Sequence, residues 1–321
     1  MSRRPLPRRA AGLAGAVVLA LGLLTGCAGT REYAATPLPT TPAPAASTAP
    51  AATPAQCADL LNSYDPRPVT SSSEVLTRIR QRQRLVVGVS ADTLLFGARD
   101  ARSGAIVGFD IDLARALAAS LLGSPDKIEL KVITAAQRLP FLKDGTVDVV
   151  ARTMSITCDR WKEIAFSAEY FEAGQRILVA ERSPVKDVAG LAGKRVCAPA
   201  GSTSLDTLRR VAPQAVPVPA DTHTRCLILF QQSKVDAITG DDTVLAGLAS
   251  QDPYTRLVGP KFSREPYGLG LPPGDPTFVG AVNTALASWV SSGGWTASYR
   301  TWLAADLGPG VTAPTPRYGR R

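Results

Sequence analysis

Residues 85–132 read LVVGVSADTLLFGARDARSGAIVGFDIDLARALAASLLGSPDKIELKV, and they decide the fold class of this chain. The stretch begins with a short apolar strand, Leu85–Val89, and ends with Ile128–Val132, where apolar and polar residues alternate as in a half-buried strand. Between them, the spacing of apolar residues predicts a helix over Phe109–Leu122, which Gly123 ends. Strands that alternate with helices in this way indicate an α/β fold with a parallel sheet.

The same order of elements recurs further along the chain. A second apolar strand lies at Arg195–Ala198, and a helix over Cys226–Gln232 leads into a strand over Val235–Ile238. In the first half, a short helix over Leu139–Lys143 leads into a strand over Val147–Ala151 in the same manner. This repetition predicts two α/β lobes of similar plan.

Polar clusters follow the strands over Val147–Ala151 and Val235–Ile238, at residues 152–155 and 240–243. Ligands of such sheets bind at the carboxyl ends of the parallel strands, so we expect a cleft that both lobes line. Two segments, Tyr170–Gly174 and Tyr267–Gly270, are predicted to cross between the lobes as hinge strands. The helical patterns within residues 277–303 are expected to return to the first lobe.

Length, composition and charge exclude several classes of protein. The chain has 321 residues, 45% hydrophobic and 20% charged, which is enough for one or two substantial cores. The net charge is +9, but residues 1–26 hold four arginines without an acidic residue, and residues 309–321 hold three more. Seven of the nine net charges therefore lie at the ends, and no nucleic-acid-binding surface is expected on the folded part. A single histidine, His223, excludes a histidine-cluster metal site, and neither metal nor cofactor is expected.

The first 26 residues have the features of a signal peptide. Four arginines precede an apolar stretch over Ala10–Leu24 that is too short to span a bilayer comfortably. The stretch ends in Leu24-Thr25-Gly26-Cys27, which looks like a bacterial lipobox, so we expect lipid attachment at Cys27 and a place on the outer face of the cytoplasmic membrane. The alternative is a plain secretory signal with an incidental cysteine, and export by the general or the twin-arginine route stays open.

Residues 27–73 are predicted to form a tether, because residues 34–55 are almost entirely Ala, Thr and Pro and favour extended conformers. The remaining cysteines are Cys57, Cys158, Cys197 and Cys226. An even count in an oxidising compartment suggests two disulfides, with three possible connectivities. We favour Cys197–Cys226, since both fall within one half of the fold, which leaves Cys57–Cys158 to attach the tether to the body.

The predicted organisation has five parts. They are a signal peptide (1–26), a lipidated tether (27–73), lobe 1 (74–172 with 270–308), lobe 2 (173–269) and a basic tail (309–321). The default expectation for the oligomeric state is a monomer.

Ten short segments carry a resemblance to a known family. They are Val87–Asp92, Gly108–Ala114, Asp144–Asp148, Ser155–Arg160, Ala165–Ser167, Tyr170–Phe171, Leu191–Lys194, Gly201–Thr203, Val235–Ala237 and Tyr267–Leu271. In this order and spacing the chain resembles the family 3 extracellular solute-binding proteins, the polar amino-acid receptors of ABC importers. Within that family it is similar to actinobacterial lipoproteins of the glutamate/glutamine type. The resemblance implies a type II periplasmic-binding-protein fold, in which two lobes with mainly parallel sheets flanked by helices are joined by two hinge strands. It also implies a receptor, not an enzyme, that delivers a polar amino acid to the permease subunits of an ABC importer.

The resemblance also assigns site residues. Arg160 matches the arginine that binds the ligand's α-carboxylate, and Asp241 matches the carboxylate that receives the α-ammonium, with Asp242 as the alternative. Fixed charges of both signs suit an amino acid, because burying either pole unpaired costs several kcal/mol or more. Hydroxyl or backbone contacts are expected from Thr153, Ser155, Ser202 and Thr203. For the last two, at a predicted helix start, a plain N-cap role is the alternative.

Two further arginines bear on the ligand's side chain. Arg138 lies where acidic-amino-acid receptors of the family place an arginine for the distal carboxylate, and Arg152, at the end of a strand, needs an anionic partner. Glutamate or aspartate is therefore the expected ligand, followed by glutamine and asparagine. Alternatively, one of these arginines pairs with a protein acid such as Asp92. Phe96 is the one aromatic candidate in the first loop for stacking on the ligand, unless it belongs to the core.

Two other functions stay open at this point. An enzyme similar to the dehydratases on this fold would need a general acid or base in the cleft. His223 is expected to be a loop residue, and Glu172 is the remaining candidate. A sensor that reports amino-acid levels to a membrane signalling partner would need the same pocket, so the sequence does not separate it from a receptor for an importer.

Overall fold

Residues 85–132 form the strand–helix–strand unit that their sequence predicts. The computed structural model describes residues 59–321, and the predictions for the signal peptide, for Cys27 and for the first part of the tether lie outside the described residues. The helix over Phe109–Leu122 has the predicted bounds. Gly123 ends it in a left-handed conformation with φ 78°, from which its N–H donates to the carbonyl of Ala119.

The described residues alternate short strands with helices. The strands are β1 (Leu85–Val89), β2 (Asp92–Thr93), β3 (Gly97–Arg99), β4 (Ile106–Val107), β5 (Ile128–Val132), β6 (Val149–Val150), β7 (Ala165–Phe166), β8 (Phe171–Ala173), β9 (Gln175–Ala180), β10 (Arg195–Pro199), β11 (Val216–Ala220), β12 (Ala237–Asp241), β13 (Thr255–Val258), β14 (Glu265–Tyr267) and β15 (Gly270–Leu271). The helices are α1 (Glu74–Arg82), α2 (Phe109–Leu122), α3 (Arg138–Lys143), α4 (Cys158–Trp161), α5 (Thr203–Val211), α6 (His223–Gln231), α7 (Asp242–Ala249), α8 (Pro276–Ser291), α9 (Gly294–Trp302) and α10 (Ala304–Leu307), with a 3-10 turn at Ala189–Leu191.

Two five-stranded sheets form the two lobes. In lobe 1 the order is β5-β1-β6-β15-β7, with β1 parallel to β5 and β6 and with β15 antiparallel to its neighbours. In lobe 2 the order is β11-β10-β12-β9-β13, with β10 parallel to β11 and β12 and with β9 antiparallel to its neighbours. The predicted two-lobed α/β architecture is confirmed, and in each sheet four strands run in one direction while one, β15 or β9, runs in the opposite direction.

The chain crosses between the lobes at β8 and β14, which pair antiparallel from Phe171–Tyr267 to Ala173–Glu265. Strand β8 lies within the first predicted hinge segment. Strand β14 begins two residues before the second predicted segment and ends at its first residue, Tyr267. An isolated bridge between Ser155 and Tyr267 connects this hinge to the loop that follows β6.

An aromatic cluster centres the core of lobe 1. The ring of Phe109 on α2 contacts Phe96, Phe171 and Trp295 with centroids 5.6–5.8 Å apart in edge-to-face arrangements. Helices α8 and α9, near the end of the chain, pack against α2. Phe96 is 1% exposed, so it is a core residue and does not stack on a ligand.

Lobe 2 contains the predicted disulfide between Cys197 and Cys226, which joins β10 to α6 with Cα atoms 5.5 Å apart. The prediction of Cys197–Cys226 is confirmed. The predicted partner of Cys158, Cys57, lies outside the described residues. Within residues 59–321, none of the helices has the length and apolar character needed to cross a lipid bilayer.

The last part of the predicted tether lies against lobe 1. Ser63 is fully buried, and its hydroxyl donates to the carbonyl of Phe166 at 2.8 Å and accepts from the side chain of Asn283 at 2.9 Å. The backbone N–H of Arg67 donates to the carbonyl of Gly280 on α8 at 3.0 Å. These hydrogen bonds attach residues 59–67 to the body, although they fall within the predicted tether, 27–73.

Candidate functional site

The two lobes enclose a cavity at the carboxyl ends of their parallel strands. Its volume is about 20 Å³, well below the range of about 300–1,000 Å³ for ligand pockets, so the lobes leave little empty space between them. The cavity is lined from lobe 1 by Thr93, Ala135, Arg138, Arg152 and Thr153, and from lobe 2 by Pro199, Ser202, Thr203, Ser204, His223, Asp241 and Val244. A wider opening beside it is lined by Arg160 and Gly201, among other residues.

Six of the nine predicted site residues line this cavity. They are Arg138, Arg152, Thr153, Ser202, Thr203 and Asp241. Arg160 lines the adjoining opening, and the hydroxyl of Ser155 lies 3.4 Å from that of Thr203 across the cleft. Asp92 does not line the cavity, because its carboxylate is turned towards Ser90, whose hydroxyl donates to it at 2.8 Å.

Lobe 1 contributes three buried guanidinium groups. Arg138, Arg152 and Arg160 are 3%, 7% and 8% exposed. Arg138 donates to the carbonyls of Ala135 (2.9 Å), Arg152 (3.4 Å) and Gly201 (3.1 Å), and Arg152 donates to that of Ile133 (2.9 Å). Burial lowers the pKa of all three.

None of these three arginines has a carboxylate within 4.0 Å among residues 59–321. The alternative in which Arg138 or Arg152 forms an ion pair with Asp92 is therefore wrong at contact distance. Asp92 and Asp110 act on Arg152 only at longer range, where they raise its pKa against the larger lowering by burial. Buried cations with neutral carbonyl partners make this side of the cleft suited to an anion.

The short helix α4 holds Arg160 at the cleft. Thr157 caps the helix, and its hydroxyl accepts from the backbone N–H of Arg160 at 3.2 Å. The guanidinium donates to the carbonyl of Ser155 at 2.6 Å and, across the cleft, to that of Gly201 at 3.4 Å. Arg160 thus contacts both lobes.

Lobe 2 contributes a carboxylate, Asp241, at the end of β12. It is 5% exposed, and its Oδ2 accepts from the hydroxyl of Tyr267 at 2.6 Å, while Oδ1 is buried without a hydrogen-bond partner. Burial, and after it the nearby carboxylate of Glu265, raises the pKa of Asp241 to about 8. An unpaired buried acceptor at the cavity wall fits a cationic donor.

The neighbouring Asp242 has a structural role. As the first residue of α7 it accepts from the backbone N–H of Gly174 at 3.0 Å, and it pairs with Lys261 at 2.9 Å. Asp241 therefore faces the cavity, and Asp242 ties α7 to the segment after the hinge strand β8.

The four predicted hydroxyl residues differ in how far their side chains are already engaged. Ser202 caps α5, accepts from the N–H of Leu205 at 3.2 Å and donates to the carbonyl of Pro199 at 2.7 Å. The hydroxyl of Thr203 donates to Glu265 at 2.9 Å. For Ser202 the predicted N-cap role is thus observed.

Thr153 is placed by a buried carboxylate. Its backbone adopts φ 39°, a left-handed conformation that is unfavourable for a branched residue. The N–H of Thr153 donates to Asp110 at 2.8 Å, and Asp110 also accepts from the hydroxyl of Tyr170 at 2.7 Å. Burial raises the pKa of Asp110 to about 6. Asp110 lies in the helix predicted over Phe109–Leu122, and no local pattern pointed to this contact.

His223 was expected in a loop, and this prediction is wrong. It is the first residue of α6, which Thr222 caps through the N–H of Arg225 at 3.1 Å. The imidazole lines the cavity with Nε2 3.3 Å from the carbonyl of Thr239. Burial lowers the pKa of His223 to about 4, so the ring is neutral at pH 7. The threonine before the histidine was a cap signal that could have placed His223 in the helix.

Two residues of the hinge strand β14 also belong to the site. Tyr267 donates to Asp241, and Glu265 accepts from Thr203 and, at 2.6 Å, from Ser263. Glu172, the other acid considered for catalysis, lies outside the cleft, where it is half exposed and pairs with Arg264.

The lobes touch each other directly around the cavity. The hydroxyl of Thr224 in lobe 2 donates to the carbonyl of Asp92 in lobe 1 at 2.9 Å. At Gly201, with φ 70°, an added Cβ would lie 2.9 Å from the Cα of Ala136 in lobe 1. The cleft is thus closed in this structure, and a side chain at position 201 would hold it apart.

Comparison with known proteins places these features in a family. The profile of the bacterial extracellular solute-binding proteins, family 3, matches residues 85–305. The chain is 36% identical over 237 residues to the ABC transporter glutamine-binding protein GlnH of Bacillus subtilis, covering 74% of this chain and 87% of that protein. It is 28% identical over 236 residues to the glutamate-binding protein GluB of Corynebacterium efficiens, covering 70% and 79%.

A solved structure of an ancestral arginine-binding protein bound to glutamine is also similar to this chain. The TM-score is 0.65 at 35% sequence identity, and the match covers 69% of this chain and 98% of that one.

Proposed function

The chain belongs to the bacterial extracellular solute-binding proteins of family 3, and from that premise we propose that it binds an acidic amino acid in the cleft between its lobes. Glutamate and aspartate are the favoured ligands, followed by glutamine and asparagine. One observation carries the proposal. Lobe 1 has three buried guanidinium groups that form no ion pair, and they lie across the cleft from a carboxylate oxygen of Asp241 in lobe 2 that has no hydrogen-bond partner.

The α-carboxylate is assigned to Arg160. Its planar guanidinium can bind a carboxylate through two hydrogen bonds, and it already reaches the carbonyl of Gly201 across the cleft. The N–H groups at the start of α5 lie on the same side and favour an anion. The α-ammonium is assigned to Asp241, whose free Oδ1 would gain a charged donor.

The distal carboxylate is assigned to Arg138 and Arg152. Both line the cavity, both are buried, and each keeps only backbone carbonyls as partners. A ligand with a neutral amide would leave these cations without a counter-charge, which favours glutamate and aspartate over their amides. Relatives named for glutamine and for glutamate both match the chain, so this preference rests on the arginines.

Ligand binding would favour lobe closure. With the α-carboxylate at Arg160 and the α-ammonium at Asp241, only the closed arrangement satisfies both poles of the ligand. The paired strands β8 and β14 connect the lobes and are placed to serve as the hinge. In the closed state the ligand is presented to a membrane partner, which we propose to be the permease of an ABC importer, because the GlnH relative is named as an ABC transporter protein. Lipid attachment at Cys27 would hold the receptor at the membrane.

The relatives are named for binding, and the chain is a receptor of this kind, not an enzyme. The two groups that had been considered for proton transfer do not support a reaction. His223 is neutral at pH 7 with a carbonyl beside its Nε2, and Glu172 is engaged outside the cleft.

Isothermal titration calorimetry on the full-length chain in detergent tests the ligand. Glutamate and aspartate should bind tighter than glutamine and asparagine, and lysine and histidine should give no heat. Arg138→Ala should lower the affinity for glutamate more than that for glutamine, because only the former has a distal charge. Tight binding of lysine with no heat from glutamate would contradict the proposal.

A further inference from the structure

Residues 317–320 of the basic tail run alongside residues 62 and 63 at the start of the described chain. Asn62 and Arg317 form a parallel bridge, the N–H of Ser63 donates to the carbonyl of Arg317 at 2.9 Å, and the N–H of Arg320 donates to the carbonyl of Ser63 at 3.0 Å. We refer to residues 59–64 and 317–320 together as the brace. The brace joins two segments that are more than 250 positions apart in the sequence.

Arg320 is the residue of the brace with the most contacts to its partner segment. Its Nε donates to the carbonyl of Asn62 at 2.7 Å and its Nη2 to the carbonyl of Asp59 at 2.6 Å. The guanidinium carbon also lies 3.7 Å from the ring centroid of Trp161, a cation–π arrangement. One arginine thereby connects the tail, residues 59–62 and α4.

Trp161, the last residue of α4, packs against the brace. Its indole N–H donates to the carbonyl of Leu60 at 2.9 Å, and its ring meets that of Tyr64 edge-on at 6.4 Å. Phe166 of the lobe 1 core contacts the same indole at 5.3 Å. The indole is therefore held by residues 60 and 64 and by Arg320 as well as by the core.

Helix α4 is too short to hold its own geometry. It has four residues, and isolated helices much longer than this are marginal in water. Its position must come from contacts beyond its own backbone hydrogen bonds, among them the Thr157 cap and the disulfide-bonded Cys158 at one end and the enclosed Trp161 at the other. Arg160 is the residue next to Trp161, so a displacement of the indole moves the backbone that carries the guanidinium.

We propose that the brace is a positioning device for Arg160, with Arg320 and Trp161 as its positioning residues. The inference rests on the proposed function, in which Arg160 binds the α-carboxylate. A guanidinium fixed before the ligand arrives loses less conformational freedom on binding, so the brace raises the affinity for every amino acid that the cleft accepts. The basic tail thus contributes to binding from outside the cleft.

The test is titration of the full-length chain carrying Arg320→Ala with glutamate and with glutamine. The expected result is an increase in Kd of about three- to tenfold for both ligands, as ordering one additional side chain on binding would produce. The ratio of the two dissociation constants should stay unchanged, because the α-carboxylate is common to both. Arg321→Ala is the matched control, since it removes the same charge from the adjacent, exposed residue. An Arg320→Ala protein with wild-type Kd would overturn the proposal.

A double-mutant cycle with Arg160→Lys distinguishes positioning from general destabilisation. If the brace acts through Arg160, the loss from Arg320→Ala should shrink to less than twofold when lysine already occupies position 160. Fully additive losses would show that the tail acts elsewhere and would overturn the proposal. Arg320→Lys, which keeps a charge over the indole, should recover part of the affinity.

The same variants separate this inference from the proposed function. If Arg160→Lys binds like the wild type, the site assignment fails irrespective of the tail. If Arg160→Lys binds more weakly while Arg320→Ala does not, only the inference about the brace fails. Trp161→Phe, which removes the indole N–H donor to Leu60 and keeps a ring, should reproduce the direction of the Arg320→Ala effect.

Discussion

Asp148 in lobe 1 and Asp236 in lobe 2 occupy the same place in the two sheets. Asp148 accepts from the backbone N–H of Val86 in β1, and Asp236 accepts from that of Arg195 in β10, both at 2.8 Å. Asp148 is fully buried and pairs with Arg78 and Arg82 of α1. The side chain of Asp236 is 36% exposed and pairs with Arg195 of its own sheet.

The cleft shows the same contrast between a shared backbone plan and different charges. At the carboxyl ends of the parallel strands, lobe 1 carries Arg138, the first residue of α3, and Arg152, which follows β6, whereas lobe 2 carries Asp241, the last residue of β12. The two sheets have equivalent strand orders, but the side chains that they place at the cleft have opposite charges. The repeated fold therefore does not determine what each lobe binds. If the ligand binds as proposed, its carboxylates face lobe 1 and its ammonium group faces lobe 2.

The largest expected effect concerns the two structural aspartates. Asp148→Asn weakens three contacts of a buried carboxylate, those to the N–H of Val86 and to the partly exposed Arg78 and Arg82, so we expect a loss of about 3 kcal/mol of unfolding free energy. Asp236→Asn weakens a pair that water already screens, so the expected loss is about 1 kcal/mol or less. Urea unfolding at pH 7 measures both, and equal losses would contradict the assignment of these roles.

The next effect compares the two charged halves of the cleft. Arg160→Ala and Asp241→Asn should each lower the affinity for glutamate by about 10- to 100-fold, because each removes one charge-assisted contact worth about 1.5–3 kcal/mol. Arg209→Ala, which removes an exposed arginine from α5, is the control and should bind like the wild type. Calorimetric titration measures all three. If only one of the two cleft variants lost affinity, the opposing-charge arrangement would be incorrect.

Sequence pattern predicted the elements whose signals are local. The helix over Phe109–Leu122 combines apolar spacing with a glycine stop, and its bounds were predicted without error. The strands predicted over Val147–Ala151 and Val235–Ile238 share a Val-Asp pair at their start, but in the structure both begin two residues later, at Val149 and Ala237. The charged residues of the cleft came from their place after these strands and from a family resemblance.

The residues that were missed depend on contacts distant in sequence. His223 occupies space beside Gly240, where an added Cβ would collide with the imidazole, and nothing near His223 in the sequence encodes that space. The packing of Arg320 on Trp161 joins the basic tail to α4, and nothing in the sequence near either residue indicates this contact. Such contacts become visible only when the fold brings the segments together.

A smaller effect tests whether the lobes must meet. Gly201→Ala places a Cβ 2.9 Å from Ala136 of the opposite lobe, at a backbone with φ 70°. We expect about a tenfold loss of affinity, equivalent to about 1.4 kcal/mol, because the closed state becomes less accessible. Gly193→Ala is the matched control, since it has φ 69° in the same lobe and no atom within 4 Å of the added Cβ.

Both glycine variants should lose about 1 kcal/mol of stability from the left-handed backbone, but only Gly201→Ala should lose affinity. Thermal unfolding and titration on the same samples separate the two quantities. Loss of affinity in Gly193→Ala as well would show that the backbone change, and not the contact between lobes, governs binding.

The smallest effect concerns the carboxylate of lobe 2 and its protonation. Burial raises the pKa of Asp241 to about 8, so at pH 7 most molecules carry a neutral aspartic acid there and must lose a proton to bind an ammonium group. Affinity should therefore increase by about fivefold between pH 7 and pH 8, following the ionised fraction of Asp241, and level off above that range. The neighbouring His223 does not contribute, because its pKa of about 4 keeps it neutral throughout.

The raised pKa of Asp241 also affects the stability of the ligand-free protein, which should fall with rising pH while the affinity for the ligand increases. The folded state holds the proton of Asp241 up to about pH 8, whereas the unfolded chain releases it near pH 4, so this group lowers stability as pH rises between those values. Asp241→Asn should bind more weakly and show no change of Kd between pH 7 and pH 8. If the wild type also bound glutamate equally at both pH values, the ammonium group would not be bound at Asp241, and the charge contrast between the lobes would not orient the ligand.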